Sequence, residues 1–385
     1  MEAGAEEKVR LTATTRGGRR RYGERTGGDE RGPLPTGRSA DAVRCPGAAV
    51  FRAGDTVEHM DSELRAGAPD VVVVGGGVIG LTTAVTLARA GRRVEVWSAD
   101  AALATTSAVA GGLWWPYHIE PAERAGAWAL ESLEVYGGLT GEPDRTGVRL
   151  VAGVQAGISL GDLGPWAAEV PGLRPSTARE YAGGPGLWAR LPVIDMPTHL
   201  AWLAGELLAH GGRLLARKVR ALEEAGRQAR VVVDCAGLAA RELVPDAAVH
   251  PVRGQLVIVE NPGVDTWFGA VASGGPLSVY FLPQPFGLIL GGTAQVGDGN
   301  REPDPATARE IVRGCAAVRP EIADAKVLGH RVGLRPGRTG GVRMEAQRLA
   351  DGTPVVHNYG HGGAGVTVAW GCAREAAELV AAASG

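Results

Sequence analysis

The chain has 385 residues, which is more than one simple hydrophobic core usually accommodates, so we expect two domains. Hydrophobic residues make up 45% and charged residues 21% of the chain, as in an ordinary globular protein. The formal net charge of -2 gives no broad basic field, and no run of about 18 apolar residues occurs, so we predict neither a nucleic-acid partner nor a membrane span.

Residues 1–68 differ from the rest because they are rich in Gly, Arg, Glu and Thr and have little hydrophobic periodicity. Such a segment cannot bury enough apolar surface to offset the entropy lost on ordering it. We therefore predict a disordered extension, with Met60 as an alternative first residue just before the first strand.

The folded part begins near Pro69 with the pattern of a strand, a tight turn, a helix and a second strand. Val71–Val74 is a continuous apolar run, which is typical of a strand covered on both faces. Apolar residues then recur at helical spacing from Val78, and Gly91 is a natural end for that helix. A second strand follows in "VEVWS". The segment therefore predicts a βαβ unit.

The turn of this unit carries the pattern G-x-G-x-x-G at Gly75, Gly77 and Gly80. Glycine here permits the tight turn, close approach of a pyrophosphate and close helix packing, while the helix N-terminus offers free N–H groups. A glycine turn without a ligand is the alternative. The pattern usually has an acid near the end of the second strand to bind a ribose hydroxyl, and both Ser98 and Asp100 are candidates for that role.

Three later segments complete the outline. "THLAWLAGELLAH" predicts a helix that ends near His210, and "RVVVDCAG" predicts another buried strand. The strand-rich stretch 253–292 predicts an antiparallel sheet inserted into the first domain. Near the end, "HNYGHGGAGVTVAWG" places a glycine cluster directly before an apolar, helix-like run. We expect an anionic part of a cofactor at that helix N-terminus; a glycine-rich cap without a ligand is the alternative.

The chain has four cysteines: Cys45, Cys235, Cys315 and Cys372. They form no C-x-x-C pair and have no histidine cluster beside them, so we predict no disulfide framework, no metal site and a reducing compartment. His357 and His361 have no third ligand in pattern and are predicted to be satisfied structural residues. The C-terminus "AAASG" lacks a peroxisomal S-K-L signal, so we predict a cytoplasmic location.

Five motifs occur in the order "VVGGGVIGL", "TTSAVAGGLWWPY", "RGQ", "VGLRP" and "HNYGHGGAGVT". Together they resemble the D-amino-acid oxidase family from about Asp70 to the C-terminus. The resemblance implies an α/β fold, in which a Rossmann-like FAD-binding domain of the glutathione-reductase type carries a mainly antiparallel β-sheet substrate domain. We divide the chain accordingly into an FAD-binding domain (69–115, 191–249 and 336–385) and a substrate-binding domain (116–190 and 250–335).

The resemblance further implies noncovalent FAD, held by Gly75, Gly77, Val78, Ile79, Gly80, Thr106, Ser107, Gly111, Gly112, Leu113, Val219, Gly333, Gly362, Gly363, Gly365, Val366 and Thr367. It implies that Arg335 and the Tyr280 hydroxyl bind the substrate carboxylate and that the Gly363 carbonyl holds the amine. A planar guanidinium suits a carboxylate. On sequence alone, the alternative for Arg335 is a buried arginine with an acidic internal partner, and a tyrosine such as Tyr280 is more often a half-buried strand residue.

The implied reaction is oxidation of a D-amino acid by hydride transfer to flavin. Oxygen reoxidises the flavin to give hydrogen peroxide, and the imino acid hydrolyses to a 2-oxo acid and ammonia. The implied partners are the D-amino acid and oxygen and, by analogy only, a second copy in a homodimer. The alternatives are a D-aspartate oxidase, a glycine/sarcosine-type oxidase, an NAD-dependent dehydrogenase and a catalytically idle FAD-binding protein.

Two positions depart from the family pattern. Pro276 stands where animal members carry a second pocket tyrosine, and Trp115 stands where a glutamine is common. Both changes affect the size and polarity of the side-chain pocket, so the substrate preference stays open.

Overall fold

A computed structural model of the protein describes residues 68–116, 119–270 and 277–384. The segment predicted to be disordered lies outside these residues apart from Ala68, and so does Pro276. Two sheets with their covering helices form the described part, and both sheets belong to one compact unit.

The first sheet has six strands in the spatial order β14-β15-β7-β1-β2-β6. Its strands are β1 (Val71–Val74), β2 (Val94–Ser98), β6 (Arg213–Ala216), β7 (Val231–Asp234), β14 (Arg343–Arg348) and β15 (Pro354–Tyr359). All neighbours pair in parallel except β14, which runs antiparallel to β15. All four valines of β1 are buried, because both faces of the strand are covered. Val71 and Val73 pack in the core that includes the helix Val78–Arg89, and Val72 and Val74 pack on the opposite face of the sheet.

Eight α-helices accompany the strands in the described residues: α1 (Val78–Arg89), α2 (Ala122–Leu139), α3 (Pro143–Thr146), α4 (Met196–Ala209), α5 (Glu223–Gly226), α6 (Ala240–Leu243), α7 (Pro305–Val318) and α8 (Gly365–Ser384). The closing helix α8 packs against α1 and α2, and α4 packs against α1. None of the helices in the described ranges is both long and apolar enough to cross a membrane.

The second sheet has nine strands. They are β3 (Val148–Ala156), β4 (Arg174–Pro175), β5 (Gly186–Ile194), β8 (Val249–Val259), β9 (Trp267–Ala270), β10 (Leu277–Gln284), β11 (Gly287–Thr293), β12 (Gln295–Val296) and β13 (Val327–Arg338). Their order is β12-β8-β11-β10-β9-β3-β5-β4, and β13 also pairs with β8. Only the β3–β9 pair is parallel among the pairs described.

The two faces of this second sheet have different environments. One face packs under α7 through buried side chains that include Phe268, Phe281 and Ile311. The opposite face carries Trp267 and Leu282, which join the core of the first sheet and its helices. The large cavity of the molecule lies on this opposite face, because Leu282 also lines it.

The architecture confirms the predicted α/β class with a mainly antiparallel second sheet. The proposed boundaries of the two domains stay a prediction. Cys235, Cys315 and Cys372 are buried free thiols. Within the described ranges, no group of three or more His, Cys, Asp or Glu side chains is placed to bind a metal ion.

Candidate active site

A continuous cavity of about 1270 Å³ lies between the two sheets. That volume exceeds the roughly 300–1,000 Å³ of pockets for drug-sized ligands. Loops at the carboxyl ends of five parallel strands (β1, β2, β6, β7 and β15) all contribute to its lining. This is where open α/β sheets bind ligands, because the loops there converge outside the strand ends.

The first glycine turn at this edge is sterically restricted to glycine at two positions. Gly75 has a φ of +115°, and a Cβ there would collide with the carbonyl oxygen of Cys235. A Cβ on Gly80 would collide with the carbonyl oxygen of Gly75, so helix α1 can approach the turn only without a side chain at this position. The sequence pattern therefore corresponds to real steric requirements of this turn.

The N-terminus of α1 presents backbone donors. The Val78 N–H donates to the Ser107 hydroxyl oxygen at 2.9 Å. The neighbouring N–H groups have no hydrogen-bond partner among the described residues; these are the N–H groups of Gly76, Gly77, Ile79 and Gly80. Free N–H groups at the positive end of a helix dipole form a site for an anionic group such as a pyrophosphate.

The segment 105–115 runs between the two sheets. It starts with a 3₁₀ helix, Thr106–Val109, whose Thr106 hydroxyl donates to the carbonyl oxygen of Leu334 at 3.1 Å. Gly112 has a φ of +84°, and its carbonyl oxygen accepts a hydrogen bond from Ile194 N–H at 2.7 Å. A Cβ on Gly111 would lie 2.8 Å from Leu282 Cδ1. The small residues of this segment thus let the main chain pass close to both sheets.

The second glycine cluster leads into α8. Gly360 and Gly362 have positive φ angles, and Gly362 N–H donates to the carbonyl oxygen of Pro336 at 2.8 Å. The Thr367 hydroxyl donates to the carbonyl oxygen of Trp115 at 3.0 Å, which connects α8 to the 105–115 segment. Four N–H groups have no partner in the described part of the chain: those of Gly363, Gly365, Val366 and Thr367. The cavity therefore has free backbone donors from a second helix N-terminus.

Two histidines beside this cluster are fully or almost fully buried. His357 Nδ1 lies 3.2 Å from an Asp234 carboxylate oxygen. His361 lines the cavity, and burial lowers its pKa to about 3, so the ring is neutral near pH 7. The Nε2 atoms of both rings are buried without a partner among the described residues. The prediction that both histidines are satisfied structural residues is therefore wrong for their Nε2 atoms.

The three residues predicted to bind substrate lie near the end of β11. Arg335 Nη1 donates to the carbonyl oxygen of Thr293 at 2.8 Å. A Cβ on Gly363 would lie 3.4 Å from Arg335 Cδ, and a Cβ on Gly292 would lie 2.9 Å from the Tyr280 hydroxyl oxygen. Within the described ranges, no carboxylate pairs with Arg335, so it is not a buried arginine with an internal acidic partner.

The cavity lining includes every residue of the predicted site except Gly80. Gly80 instead contacts the turn behind the lining, which agrees with the packing role that the sequence pattern predicted for it. Ser98 and Asp100 both line the cavity, and the Ser98 hydroxyl donates to the Asp100 carbonyl oxygen at 2.7 Å. Both Ser98 and Asp100 stay candidates for binding the ribose hydroxyl.

Two further residues of the lining were missed by sequence reasoning. The guanidinium of Arg217 lies 3.6 Å from the ring centroid of Trp97, at the end of β2 where a dinucleotide's ribose would lie. Its position directly before the "KV" of the predicted Val219 contact was the available signal. Gln155 on β3 carries no motif, and only the register of the second sheet brings it into the cavity.

These features fit FAD. One continuous cavity contacts both glycine clusters. Backbone N–H groups without a partner among the described residues come from α1 at the first cluster and from α8 at the second. Glycines line the cavity at both clusters, where larger side chains would reduce the space for a ligand. Dinucleotides need donors for the pyrophosphate, and a reducible flavin ring needs donors near its anionic edge.

Comparison with known proteins agrees with this fit. The model of a family described as FAD-dependent oxidoreductase (DAO) matches residues 70–379. A D-amino-acid oxidase of Streptomyces coelicolor is 61% identical over 311 residues, which cover 80% of this chain and 96% of that protein. Human D-aspartate oxidase is 37% identical over 325 residues, covering 80% of this chain and 94% of that protein.

Solved structures share the fold at lower sequence identity. Glycine oxidase from Geobacillus kaustophilus superposes with a TM-score of 0.68 at 21% identity, covering 82% of this chain and 95% of that one. An L-α-glycerophosphate oxidase from Mycoplasma pneumoniae, solved with FAD bound, superposes with a TM-score of 0.63 at 19% identity, covering 81% and 94%. With its family match and its relatives, the chain belongs to the D-amino-acid oxidase family of FAD-dependent oxidoreductases.

Proposed function

We propose that the chain catalyses the FAD-dependent oxidative deamination of D-amino acids to 2-oxo acids, ammonia and hydrogen peroxide, with oxygen as the electron acceptor. The observation that carries the proposal is Arg335, a half-buried guanidinium that lines the FAD-type cavity and has no carboxylate partner among the described residues. A half-buried cation of this kind is stabilised by a ligand carboxylate, which a D-amino acid supplies.

Arg335 and Tyr280 would orient the substrate through its carboxylate. The guanidinium reaches over Gly254, and its contact with Thr293 holds it in place at the end of β11. The Tyr280 ring lies over Gly291 of the neighbouring strand, with its hydroxyl directed towards the same end. Two fixed donors on one carboxylate restrict rotation of the substrate and place its α-carbon reproducibly.

Gly363 would hold the substrate amine through its carbonyl oxygen, since the backbone at Gly363 lies against the Arg335 side chain. With carboxylate and amine both fixed, only one enantiomer directs its α-hydrogen towards the cofactor while its side chain enters the remaining space. The chemistry that bound FAD would supply here is acceptance of the α-hydrogen as hydride and transfer of the electrons to oxygen. The free N–H groups of α8 would stabilise negative charge at that end of the cavity.

No charged acid–base side chain is needed if the amine enters neutral. His361, the histidine beside the second glycine cluster, is kept neutral by burial, which lowers its pKa to about 3. It therefore serves as a neutral hydrogen-bonding group rather than as a proton donor near pH 7. The chain's contribution is orientation of the substrate and electrostatic stabilisation.

Two alternatives share the chemistry and differ in the substrate side chain. The human relative is a D-aspartate oxidase, and a structural neighbour is a glycine oxidase, so acidic or minimal side chains are the competing substrate classes. An idle FAD-binding protein would stay coloured with every amino acid. The family membership does not support an NAD-dependent dehydrogenase. The homodimer, the cytoplasmic location and the domain boundaries stay predictions.

The test is anaerobic mixing of the purified yellow protein with D-alanine or L-alanine while flavin absorbance is recorded. We expect D-alanine to bleach the flavin and L-alanine to leave it oxidised, with stoichiometric peroxide once oxygen is admitted. A colourless protein that does not take up FAD, or a flavin bleached by neither alanine nor any other D-amino acid in a substrate panel, would contradict the proposed function.

A further inference from the structure

Gln155 is a buried polar side chain that opens into the cavity. It is 6% exposed and lines the cavity. Its side-chain amide has no hydrogen bond to any residue in the part of the chain that the structure describes. The amide atoms are also not among the sealed, partnerless atoms of the core, so they remain accessible from the cavity. A buried amide without a partner is costly, and a ligand that pairs with it gains affinity.

The register of the second sheet directs this amide towards the substrate end of the cavity. Gln155 pairs with Gly269 on β9, and Gly269 pairs with Tyr280 on β10, so all three lie in one row on the same face. A Cβ on Gly269 would lie 2.6 Å from Gln155 Oε1, which shows that the amide extends across β9 above this glycine. It therefore points along the row at Tyr280.

The Tyr280 ring leans away from β9, and Gln155, Gly269 and Tyr280 all line the cavity. The ring lies over Gly291 on β11, which is the neighbour of β10 opposite to β9. Adjacent strands are about 4.8 Å apart, so β9, above which the Gln155 amide lies, and β11, above which the Tyr280 ring lies, are separated by about 10 Å. A substrate whose carboxylate lies at Arg335 and Tyr280 would extend its side chain into the gap between Tyr280 and Gln155.

Trp115 adds a second donor beside this gap. Its ring centroid is 6.4 Å from that of Trp267, which stands two residues before Gly269 on the same face of β9. The Trp115 side chain is 7% exposed and lines the cavity, and its indole N–H has no partner within the described residues. Trp166, in edge contact with Trp115 at 5.7 Å, forms the apolar wall behind it.

The polar groups of this gap are uncharged and include both donors and an acceptor. The Gln155 amide offers two N–H donors and one carbonyl acceptor, and Trp115 offers one N–H donor. No charged side chain in the described ranges is hydrogen-bonded to either group. A carboxamide on the substrate offers both a donor and an acceptor to the Gln155 amide, whereas a carboxylate offers no donor and an alkyl side chain offers neither.

We propose that the gap between Tyr280 and Gln155 is the subsite for the substrate's side chain and that the Gln155 amide selects D-amino acids with a neutral carboxamide, such as D-asparagine. This inference rests on the proposed function and specifies its substrate class. It treats Gln155 as a residue that determines specificity through one pair of hydrogen bonds.

The first experiment compares three nearly isosteric substrates of the wild-type holoenzyme: D-asparagine, D-leucine and D-aspartate. We expect kcat/KM for D-asparagine to exceed that of each of the others by about tenfold, because only the carboxamide pairs with the subsite. If D-leucine or D-aspartate is as good a substrate as D-asparagine, the inference is wrong. This comparison does not depend on any variant folding correctly.

The second experiment replaces the amide. Gln155→Met keeps the length of the side chain and removes its hydrogen bonds, so the ratio of kcat/KM for D-asparagine to that for D-leucine should fall about tenfold. The change should appear in KM rather than in the limiting rate of flavin reduction, because the pair forms on binding. Gln347→Met, at an exposed position on β14, is the matched control and should leave the ratio unchanged.

Failure of this inference can be separated from failure of the proposed function. If D-alanine bleaches the flavin but D-asparagine has no advantage over D-leucine, the oxidase function stands and the subsite is wrong. An unchanged substrate ratio in Gln155→Met would likewise show that the amide does not select the substrate. If no D-amino acid bleaches the flavin, the proposed function itself fails and this inference fails with it.

Discussion

The two sheets contribute to the cavity in different ways. The six-stranded sheet contributes backbone: its glycine turns and the N-termini of α1 and α8 present free N–H groups. The nine-stranded sheet contributes side chains, with Gln155, Tyr280 and Arg335 directed into the cavity from three strands. We infer that the first region holds the cofactor and the second selects the substrate, so changes in the two regions should have separable effects.

The largest expected effect is at the first glycine turn. In Gly80→Ala, the new methyl group would collide with the Gly75 carbonyl oxygen, so α1 must move away from the turn and its N–H groups lose their alignment. We expect FAD affinity to fall by more than about a hundredfold, measured by titrating the apoprotein and recording flavin fluorescence.

Gly137→Ala is the matched control because Gly137 is also helical but has open space where a Cβ would stand. It should bind FAD like the wild type and gain up to about 1 kcal/mol in free energy of unfolding from helix propensity. If Gly80→Ala binds FAD as tightly as Gly137→Ala, the backbone of this turn does not hold the cofactor.

An intermediate effect is expected on the substrate side. In Gly254→Ala, the methyl group would lie 2.5 Å from Arg335 Nη2 and displace the guanidinium. We expect KM for D-alanine to rise about tenfold while FAD affinity changes less than about threefold, because only the side-chain region is disturbed. Steady-state kinetics and FAD titration of the same preparation measure both.

Gly329→Ala on the adjoining strand β13 has open space and is the control, with wild-type KM expected. If FAD affinity in Gly254→Ala fell by as large a factor as KM rose, the effects of the two regions on cofactor binding and substrate binding would not be separable.

A third expected effect is on stability rather than on binding, and it concerns a contact between the two sheets. Asp246 accepts hydrogen bonds from Arg338 on β13 at 2.9 Å and from Tyr359 on β15 at 2.8 Å. Burial alone would raise the pKa of Asp246, but these hydrogen bonds outweigh it and lower the pKa below its usual value. A lowered folded-state pKa means that this stabilisation is present above the unfolded-state pKa and is lost as pH falls through the folded-state value.

We therefore expect Asp246→Asn to reduce the free energy of unfolding by about 2 kcal/mol at pH 7. The difference from the wild type should narrow as the pH falls below about 4. Denaturant unfolding at several pH values measures it, with the exposed Asp324→Asn as a control. If the difference in free energy of unfolding between Asp246→Asn and the wild type stays constant down to about pH 2, the charge of Asp246 is not its cause.

The same contrast explains what could be predicted from the sequence. The βαβ unit was predictable because the valine run of β1 and the spacing of Gly75, Gly77 and Gly80 are local signals, and the structure gives each glycine a steric or backbone role. The N-terminus of α8 was predictable for the same reason. Each of these signals lies within one short stretch of the sequence, so it can be read without knowing the tertiary structure.

The substrate side was less predictable because its side chains come together through long-range register. Gln155 and Tyr280 are 125 positions apart in the chain, and only the pairing through Gly269 places them in one row. Arg335 was found through resemblance to the family, not through any local pattern. The leftover Nε2 atoms of His357 and His361 depend on how closely other chain segments pack around them, which the sequence does not encode locally.

The most direct test of Arg335 as the carboxylate-binding residue is anaerobic flavin reduction in Arg335→Ala at increasing D-alanine concentrations. We expect the apparent Kd for D-alanine to rise at least about a hundredfold, since a carboxylate loses its bidentate partner, while FAD binds as in the wild type. An unchanged Kd for D-alanine in an FAD-replete variant would contradict the assignment of Arg335 to this role.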